Sequence, residues 1–493
     1  MAQIIVIFGA SGDLTSRKLI PALYQLDCKK RFEQPLHIVG VSRTPLTDEQ
    51  WRNKLGETTA QFVGASFDHA QWEAFAPSIH YFSGDIDQPE MFGQLDAYLQ
   101  TLDSESNRLY YLSTSPMLYP VIIKQLGQSG MSDPSRGTPT RGTPSRGARR
   151  VVIEKPFGRD LESAQQLNQD VHESFDEHQV FRIDHYLGKE TVSNVLVLRF
   201  GNTIFEPIWN RNYIDNIQIT ANEDVLVGHR AAFYEKAGVL RDMCQNHLLQ
   251  LLTFVTMEPP ARFDADAVRD EKVKVLRAIR AMTPDEVLAN TLCGQYDSYR
   301  SEPGVDPASR TATYAAMRLL IDNWRWKDVP IYLRSGKGMS CRTTQIVVQF
   351  RQPPHMMFDC KGATPYFAPN RLLIQIQPAE GIQIYFQTKV PDTDMQLRQS
   401  EFKFNFRESC QCELPEAYQR LLLDALQGDA SLFARNDEVE AAWRIIDPIL
   451  RVWEDQSATV PERYEINSWG PPSADDWIRR WGHEWFDLCP VLY

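Results

Sequence analysis

The densest gathering of reactive side chains follows the apolar run VFRI (180–183), where Asp184, His185, Tyr186 and Lys189 fall within one short stretch. His185, Tyr186 and Lys189 offer three donors at one strand end, enough to surround a phosphate. Asp184 would repel that dianion, so its role is to orient and charge-balance a histidine brought from elsewhere. His247 and Asp242 lie on the predicted helix LRDMCQNHLLQLL among apolar neighbours. A satisfied core histidine has the same signature. Taking a proton from a hydroxyl group, however, needs one base of near-neutral pKa, and His247 paired with Asp184 would supply it.

Three further groups stand at the ends of predicted strands. After the first strand comes Gly9-Ala10-Ser11-Gly12-Asp13-Leu14, leading into TSRKLIPALYQL. A glycine turn at a helix N-terminus lets backbone N–H groups face a pyrophosphate, although Ser11 and Leu14 break the strict GxGxxG spacing and a purely structural turn reads alike. The second strand ends in Ser42-Arg43-Thr44, where a strictly NAD-using fold usually carries Asp or Glu. An arginine there accommodates a 2′-phosphate with Ser42 and Thr44 as extra donors, which favours NADP; a solvated loop arginine is the alternative. The fifth strand delivers Lys155 ahead of Pro156, a candidate cis-proline. At that sheet edge Lys155 reaches substrate oxygens or the coenzyme unless it is simply solvated. Lys337, in Leu333-Arg334-Ser335-Gly336-Lys337-Gly338, and Arg342 add late basic groups able to close over a phosphate or sugar. No HExxH, Cys/His ligand spacing or GxSxG occurs, so no metal and no serine nucleophile is expected.

These residues must be positioned by two kinds of architecture. The runs IIVIF (4–8), LHIVGV (36–41), IHYF (79–82), RLYYL (108–112), RVVIE (150–154) and VFRI (180–183) alternate with amphipathic stretches, which predicts βαβ units and a parallel α/β sheet of dinucleotide-binding type over 1–183. Over 184–493 long helical stretches such as 235–255 precede TTQIVVQF (343–350), RLLIQIQ (371–377) and GIQIYFQT (381–388) with no helices between them. That pattern predicts an α+β domain with a mainly antiparallel sheet and helices on one side. DPSRGTPTRGTPSRGARR (133–150) repeats Pro-[Ser/Thr]-Arg-Gly and reads as a mobile surface loop, or as a basic flap for phosphate ligands.

A chain of 493 residues is long enough for two large domains. Its net charge of −12 argues against nucleic acid as main partner, so any phosphate site is a local basic cluster. Neither a signal peptide nor a membrane-length apolar run is apparent, and scattered cysteines without CxxC spacing predict reduced thiols in a cytoplasmic protein.

Taken in order, GASGDLTSRKLIPALYQL, EKPFG, RIDHYLGKE, EKAGVLRDMCQNHLLQLL, LRSGKG and YEINSWGPPSADDW closely resemble the landmarks of the glucose-6-phosphate dehydrogenase family from near the first residue to near the last. The resemblance implies a Rossmann-like coenzyme domain, then an α+β domain whose large sheet forms a dimer interface, so a homodimer or homotetramer is expected. It implies glucose 6-phosphate as substrate, NADP as coenzyme, His247 as general base and Asp184 as its carboxylate partner. It further implies that His185, Tyr186 and Lys189 hold the phosphate, that Lys155, Glu223, Asp242 and Lys337 contact the sugar, and that Arg342 lies close enough to matter for substrate or cofactor. The chain departs from the family pattern at Leu226–Glu235, which loses a glutamate and a glycine pair near Glu223, and at Ser115, where the family carries proline.

Overall fold

The computed structural model describes residues 2–133, 147–355, 357, 368–406, 408, 415–455 and 459–489. Most of the arginine-glycine-proline tract, 134–146, lies outside the described residues.

Six strands, β1 (Gln3–Phe8), β2 (Leu36–Ser42), β3 (Ile79–Ser83), β4 (Asn107–Leu112), β5 (Arg149–Glu154) and β6 (Val180–Ile183), form one sheet in the order β3-β2-β1-β4-β5-β6. All of its pairings are parallel. Helices on both faces of such a sheet explain why β1 is an unbroken apolar run, with Ile4 through Phe8 wholly buried. Strand order reverses between β1 and β4, and the carboxyl ends of those two strands flank the crevice where ligands of open α/β sheets bind. The helices begin where side chains satisfy orphan N–H groups: Thr47 and Asp160 form reciprocal capping boxes for helices Asp48–Val63 and Leu161–His172.

The compact unit built on this sheet comprises Met1–Lys189, Arg262–Arg269 and Pro415–Glu440. A division at 183/184 cuts the chain once, whereas this unit also takes back a late segment. Helix Ala417–Gln427 buries Leu421, Leu422 and Leu426 and packs against helix Ile20–Cys28, with Lys29 Nζ donating to Gln419 Oε1 at 2.9 Å.

The second unit, Glu190–Ala261, Asp270–Leu414 and Ala441–Tyr493, carries a nine-stranded sheet. Its strands are β7 (Ile214–Asn222), β8 (Thr291–Tyr296), β9 (Tyr314–Leu319), β10 (Ile331–Gly336), β11 (Thr343–Phe350), β12 (Arg371–Gln377), β13 (Gly381–Lys389), β14 (Leu397–Asn405) and β15 (Glu462–Tyr464). They lie in the order β14-β13-β12-β11-β7-β10-β9-β8-β15, antiparallel except for β7 with β10 and β8 with β15. The strands expected at 343–350, 371–377 and 381–388 are β11 to β13.

Cys341 and Cys489 are joined in a disulfide with Cα atoms 6.0 Å apart, which corrects the expectation of reduced thiols throughout. Sequence spacing could not reveal the pair, because the two residues are 148 positions apart. Among the described residues no helix is long and apolar enough to cross a membrane.

Candidate active site

In the first unit the glycine turn closes directly against β4. Gly9 has φ +92°, and a Cβ there would stand 2.2 Å from the carbonyl oxygen of Ser113, so only glycine fits. Gly9 and Ala10 donate to the Val41 carbonyl at 3.0 and 3.2 Å, and Thr15 Oγ1 donates to Gly9 O and Ser113 Oγ, both at 3.2 Å. The turn is thereby pinned to β2 and β4 at once. Ser11 Oγ and Ser42 Oγ share a 2.9 Å hydrogen bond.

Gly9, Ser11, Ser42 and Arg43 line one cleft of about 270 Å³, together with Gly84, Asp85, Asp87, Thr114 and Leu118. Four of the expected coenzyme residues are thus brought together. Gly12, Asp13 and Leu14 stay on the first turn of the following helix, where exposed Asp13 lies 3.7 Å from Arg17. Asp85 and Asp87 were not anticipated. They sit in the loop after β3, and no local pattern distinguishes them from ordinary loop carboxylates.

At the end of β5, the Lys155–Pro156 peptide is cis, as expected. Lys155 is half-buried. Glu154 Oε1 accepts hydrogen bonds from Tyr111 Oη at 2.5 Å and Tyr418 Oη at 3.1 Å. Burial raises the Glu154 carboxyl pKa above its ordinary value, only partly offset by the two phenols. The backbone that presents Lys155 is therefore anchored from β4 and from helix Ala417–Gln427, an anchor the sequence did not disclose.

The turn after β6 has a buried base and an accessible rim. Asp184 is buried, and its Oδ1 accepts from the Tyr186 N–H at 2.9 Å, which shapes the turn. The half-buried His185 ring meets the Tyr186 ring edge-on, with centroids 5.0 Å apart, and Lys189 Nζ lies 5.5 Å from the same ring. His185 and Lys189 thus flank the ring of Tyr186, which is itself buried. Arg182 takes a structural part: it is buried and bonds Glu177 at 2.6 Å and Asn168 at 3.0 Å.

In the second unit the expected single helix over 235–255 is broken into parts. Gly238, at φ +59°, kinks the chain within Ala231–Val239, and a π-helical stretch Leu240–Leu248 leads into α-helix Leu249–Thr256. In i→i+5 geometry residues five apart stack more closely than in an α-helix. Asp242 and His247 have that spacing, and both are buried.

Lys337, 6% exposed, follows β10 and reaches two carboxylates. Its Nζ bonds Glu223 Oε2 and lies 3.5 Å from Asp242 Oδ2, with the Tyr234 ring centroid 5.2 Å away. Glu223 is fixed in turn, its N–H donating to Gly336 O at 2.9 Å and its carbonyl accepting from Met339 N–H at 3.0 Å. Burial, with the Asp242 and Glu223 charges adding to it, holds the Tyr234 phenol well above its usual pKa, so this neighbour stays neutral. Glu223, Asp242 and Lys337 therefore form one charge cluster, in which Asp242 and Lys337 are buried and Glu223 is partly exposed. Arg342 is exposed, outside that cluster and next to the disulfide.

A parallel sheet of this strand order with a glycine turn at its crevice, in a chain that also carries a large, mostly antiparallel sheet, defines a nucleotide-dependent oxidoreductase. The profile described as "Glucose-6-phosphate dehydrogenase, NAD binding domain" matches residues 6–194, and "Glucose-6-phosphate dehydrogenase, C-terminal domain" matches 196–486. The chain is 43% identical to glucose-6-phosphate 1-dehydrogenase of Aggregatibacter actinomycetemcomitans, over 98% of this chain and 96% of the relative. It is also 43% identical to that of Mycolicibacterium smegmatis, over 97% and 96%. A solved glucose-6-phosphate dehydrogenase in complex with its substrate glucose-6-phosphate superposes with a TM-score of 0.89 at 33% identity, covering 98% of both chains. The enzyme from Mycobacterium avium gives 0.84 at 34% identity over the full length of both. This chain belongs to the glucose-6-phosphate dehydrogenase family.

Proposed function

We propose that this chain oxidises D-glucose 6-phosphate at C1 to 6-phospho-D-glucono-1,5-lactone with NADP+ as hydride acceptor, the first step of the oxidative pentose phosphate pathway. The observation that carries the substrate reading is the turn after β6, where His185 and Lys189 flank the ring of buried Tyr186 and offer neighbouring donors to a phosphate. The cleft beside Gly9 suits a dinucleotide, because the glycine lets the turn close against Ser113 at the sheet crevice and Ser11, Ser42 and Arg43 line the same cleft with donors. Arg43 with the two serines favours a 2′-phosphate, while Asp85 and Asp87 on the same cleft suit the hydroxyl and amino groups of the adenosine.

When bound, the nicotinamide supplies the hydride acceptor. His247 takes the proton of the C1 hydroxyl, and Asp184 serves as the carboxylate that orients the imidazole and balances its charge. Glu223, Asp242 and Lys337 hold sugar hydroxyls from a cluster already locked by its own ion pairs, and Lys155 reaches the sugar or the coenzyme from the anchored end of β5. Arg342, exposed beside the disulfide, adds a positive charge toward either ligand.

A cytoplasmic setting and a homodimer or homotetramer complete the reading. Among the described residues strand β14 ends the large sheet with a free edge, and it carries Phe402 and Phe404, 68% and 50% exposed, which suits a face covered by another copy.

The test is the rate of coenzyme reduction with four pairings: glucose 6-phosphate or glucose, each with NADP or NAD. Fast turnover with the phosphorylated sugar and NADP is expected. Equal rates with glucose would remove the phosphate reading, equal rates with NAD would remove the role of Arg43, and no turnover with any pairing would leave a nucleotide-binding relative without this activity.

A further inference from the structure

The Cys341–Cys489 disulfide joins two segments whose other attachments differ sharply. From Lys337 to Ser340 the chain is held tightly by backbone bonds: Gly338 N–H to Val225 O at 3.0 Å, Met339 N–H to Glu223 O at 3.0 Å and Ser340 N–H to Ser468 O at 2.8 Å. Tyr464 Oη adds a bond to the Lys337 carbonyl at 2.8 Å. Beyond that point, Cys341 and exposed Arg342 precede the first paired residue of β11, Thr343.

On the other side, the C-terminal segment runs over the large sheet as irregular chain. Gln218 Nε2 donates to Glu484 O at 2.8 Å, Phe486 N–H donates to Gln218 Oε1 at 3.0 Å and Gln345 Nε2 donates to Phe486 O at 3.1 Å. Arg334 pairs with Asp487 at 2.6 Å. Leu488 and Cys489 are exposed.

We propose that this disulfide is a thiol-reducible clasp that fixes the Cys341–Arg342 corner to the C-terminal segment, so that thiol poise sets how firmly Arg342 is held. Cys489 is exposed and Cys341 half-buried, which leaves a sulfur open to attack. A dithiol reductant opens it in two steps. Its thiolate attacks Cys489 Sγ, forming a mixed disulfide and expelling the Cys341 thiolate, which takes up a proton. The second reductant thiolate then closes the reductant's own disulfide and releases Cys489, so two electrons pass from reductant to protein. A disulfide oxidant runs the sequence backwards. Exposed disulfides in reducing compartments are commonly of this labile kind.

The part of the inference that concerns ligands rests on the reading of Arg342 given above, and the experiment separates the two. The full-length enzyme is purified without reductant, and an aliquot is treated with dithiothreitol. Peptide mapping with thiol alkylation, melting temperature and steady-state kinetics are then compared with the Cys341→Ser, Cys489→Ser double variant. The expected results are a cross-linked peptide containing Cys341 and Cys489 before reduction, and a melting temperature that falls by roughly 5 °C on reduction of the wild type, because the closed loop is long. The double variant melts at the reduced value and ignores dithiothreitol. A several-fold higher KM for substrate or coenzyme, shared by the reduced wild type and the double variant with kcat retained, is also expected. Absence of the cross-link even after oxidised glutathione, or an equal response of wild type and double variant to reductant, overturns the clasp. A lowered melting temperature with unchanged KM upholds the clasp and removes Arg342 from the ligand contacts.

Discussion

The two units present their chemistry in opposite ways. The six-stranded unit displays it at strand ends, on turns whose backbone is pinned and whose polar tips remain reachable: Ser42 and Arg43 after β2, Lys155 after β5, His185 and Lys189 after β6. The nine-stranded unit buries it, with His247 and Asp242 inside a distorted helix and Lys337 held between two carboxylates. Groups on pinned turns recognise ligands cheaply, because little has to be desolvated or reorganised. A buried group carries its own folding cost and makes sense where a proton must be handled away from water. Changes at the reachable tips of the first unit's turns should therefore alter affinity, and changes at buried groups, Asp184 of the first unit included, should alter turnover or stability.

The sharpest way to break that contrast is His247→Asn, which keeps size and polarity but removes the base. Initial-rate kinetics should show kcat lowered about a thousand-fold with KM changed little; a rise in KM at retained kcat would make His247 a binding residue. Next in size is Lys337→Met, which leaves Glu223 and Asp242 facing each other without their cation. Urea titration should show a loss of about 2 kcal/mol, chiefly because Asp242 is left buried without its cation while Glu223 is partly exposed.

Gly9→Ala in the first unit drives a Cβ against the Ser113 carbonyl and imposes a positive φ on alanine. It should cost about 2 kcal/mol in stability and raise the coenzyme KM more than the substrate KM. Arg43→Ala should reduce the ratio of kcat/KM for NADP to that for NAD roughly tenfold, the scale of one charge-assisted hydrogen bond, without touching kcat.

Smallest is a pH effect that sharpens the structural part assigned to Arg182. Burial pushes the Glu177 carboxyl up, but Arg182, His172 and the Asn436 N–H together outweigh it and hold the group below its usual range. A depressed folded pKa contributes stability that is present above the ordinary glutamate value and fades as pH falls below it through the folded value. Glu177→Gln should cost about 1 kcal/mol at pH 7 and flatten the acid limb of a stability curve below about pH 4.

The same contrast explains what could be read in advance. The strands of the parallel sheet announce themselves because burial on both faces demands continuous apolar runs, and all six were expected within a residue or so of their bounds. In the other sheet β7 stayed hidden. Its Asn216, Gln218, Thr220 and Asn222 alternate with apolar residues as a solvent face would, yet all four are buried, and Gln218 bonds the backbone of the C-terminal segment. An irregular segment lying on a sheet needs polar partners, and that requirement inverts the usual alternation.

The site divides similarly. Ser11, Ser42 and Arg43 were legible from their places after strands and do share a cleft, whereas Asp85 and Asp87 join it from a loop with no periodic signal. The π-helical turn that brings Asp242 and His247 toward one face, and the Tyr418 phenol that returns from late in the chain to Glu154, depend on packing between distant segments.

Recognition of a phosphate by the turn after β6 stands or falls on the ratio of kcat/KM for glucose 6-phosphate to that for glucose, measured in the wild type and in Lys189→Ala. The expected result is a large ratio that falls at least about tenfold in the variant, with the slow rate on glucose unchanged. A ratio that stays constant while both rates fall together would show that Lys189 supports the fold of the turn and that the phosphate is held elsewhere.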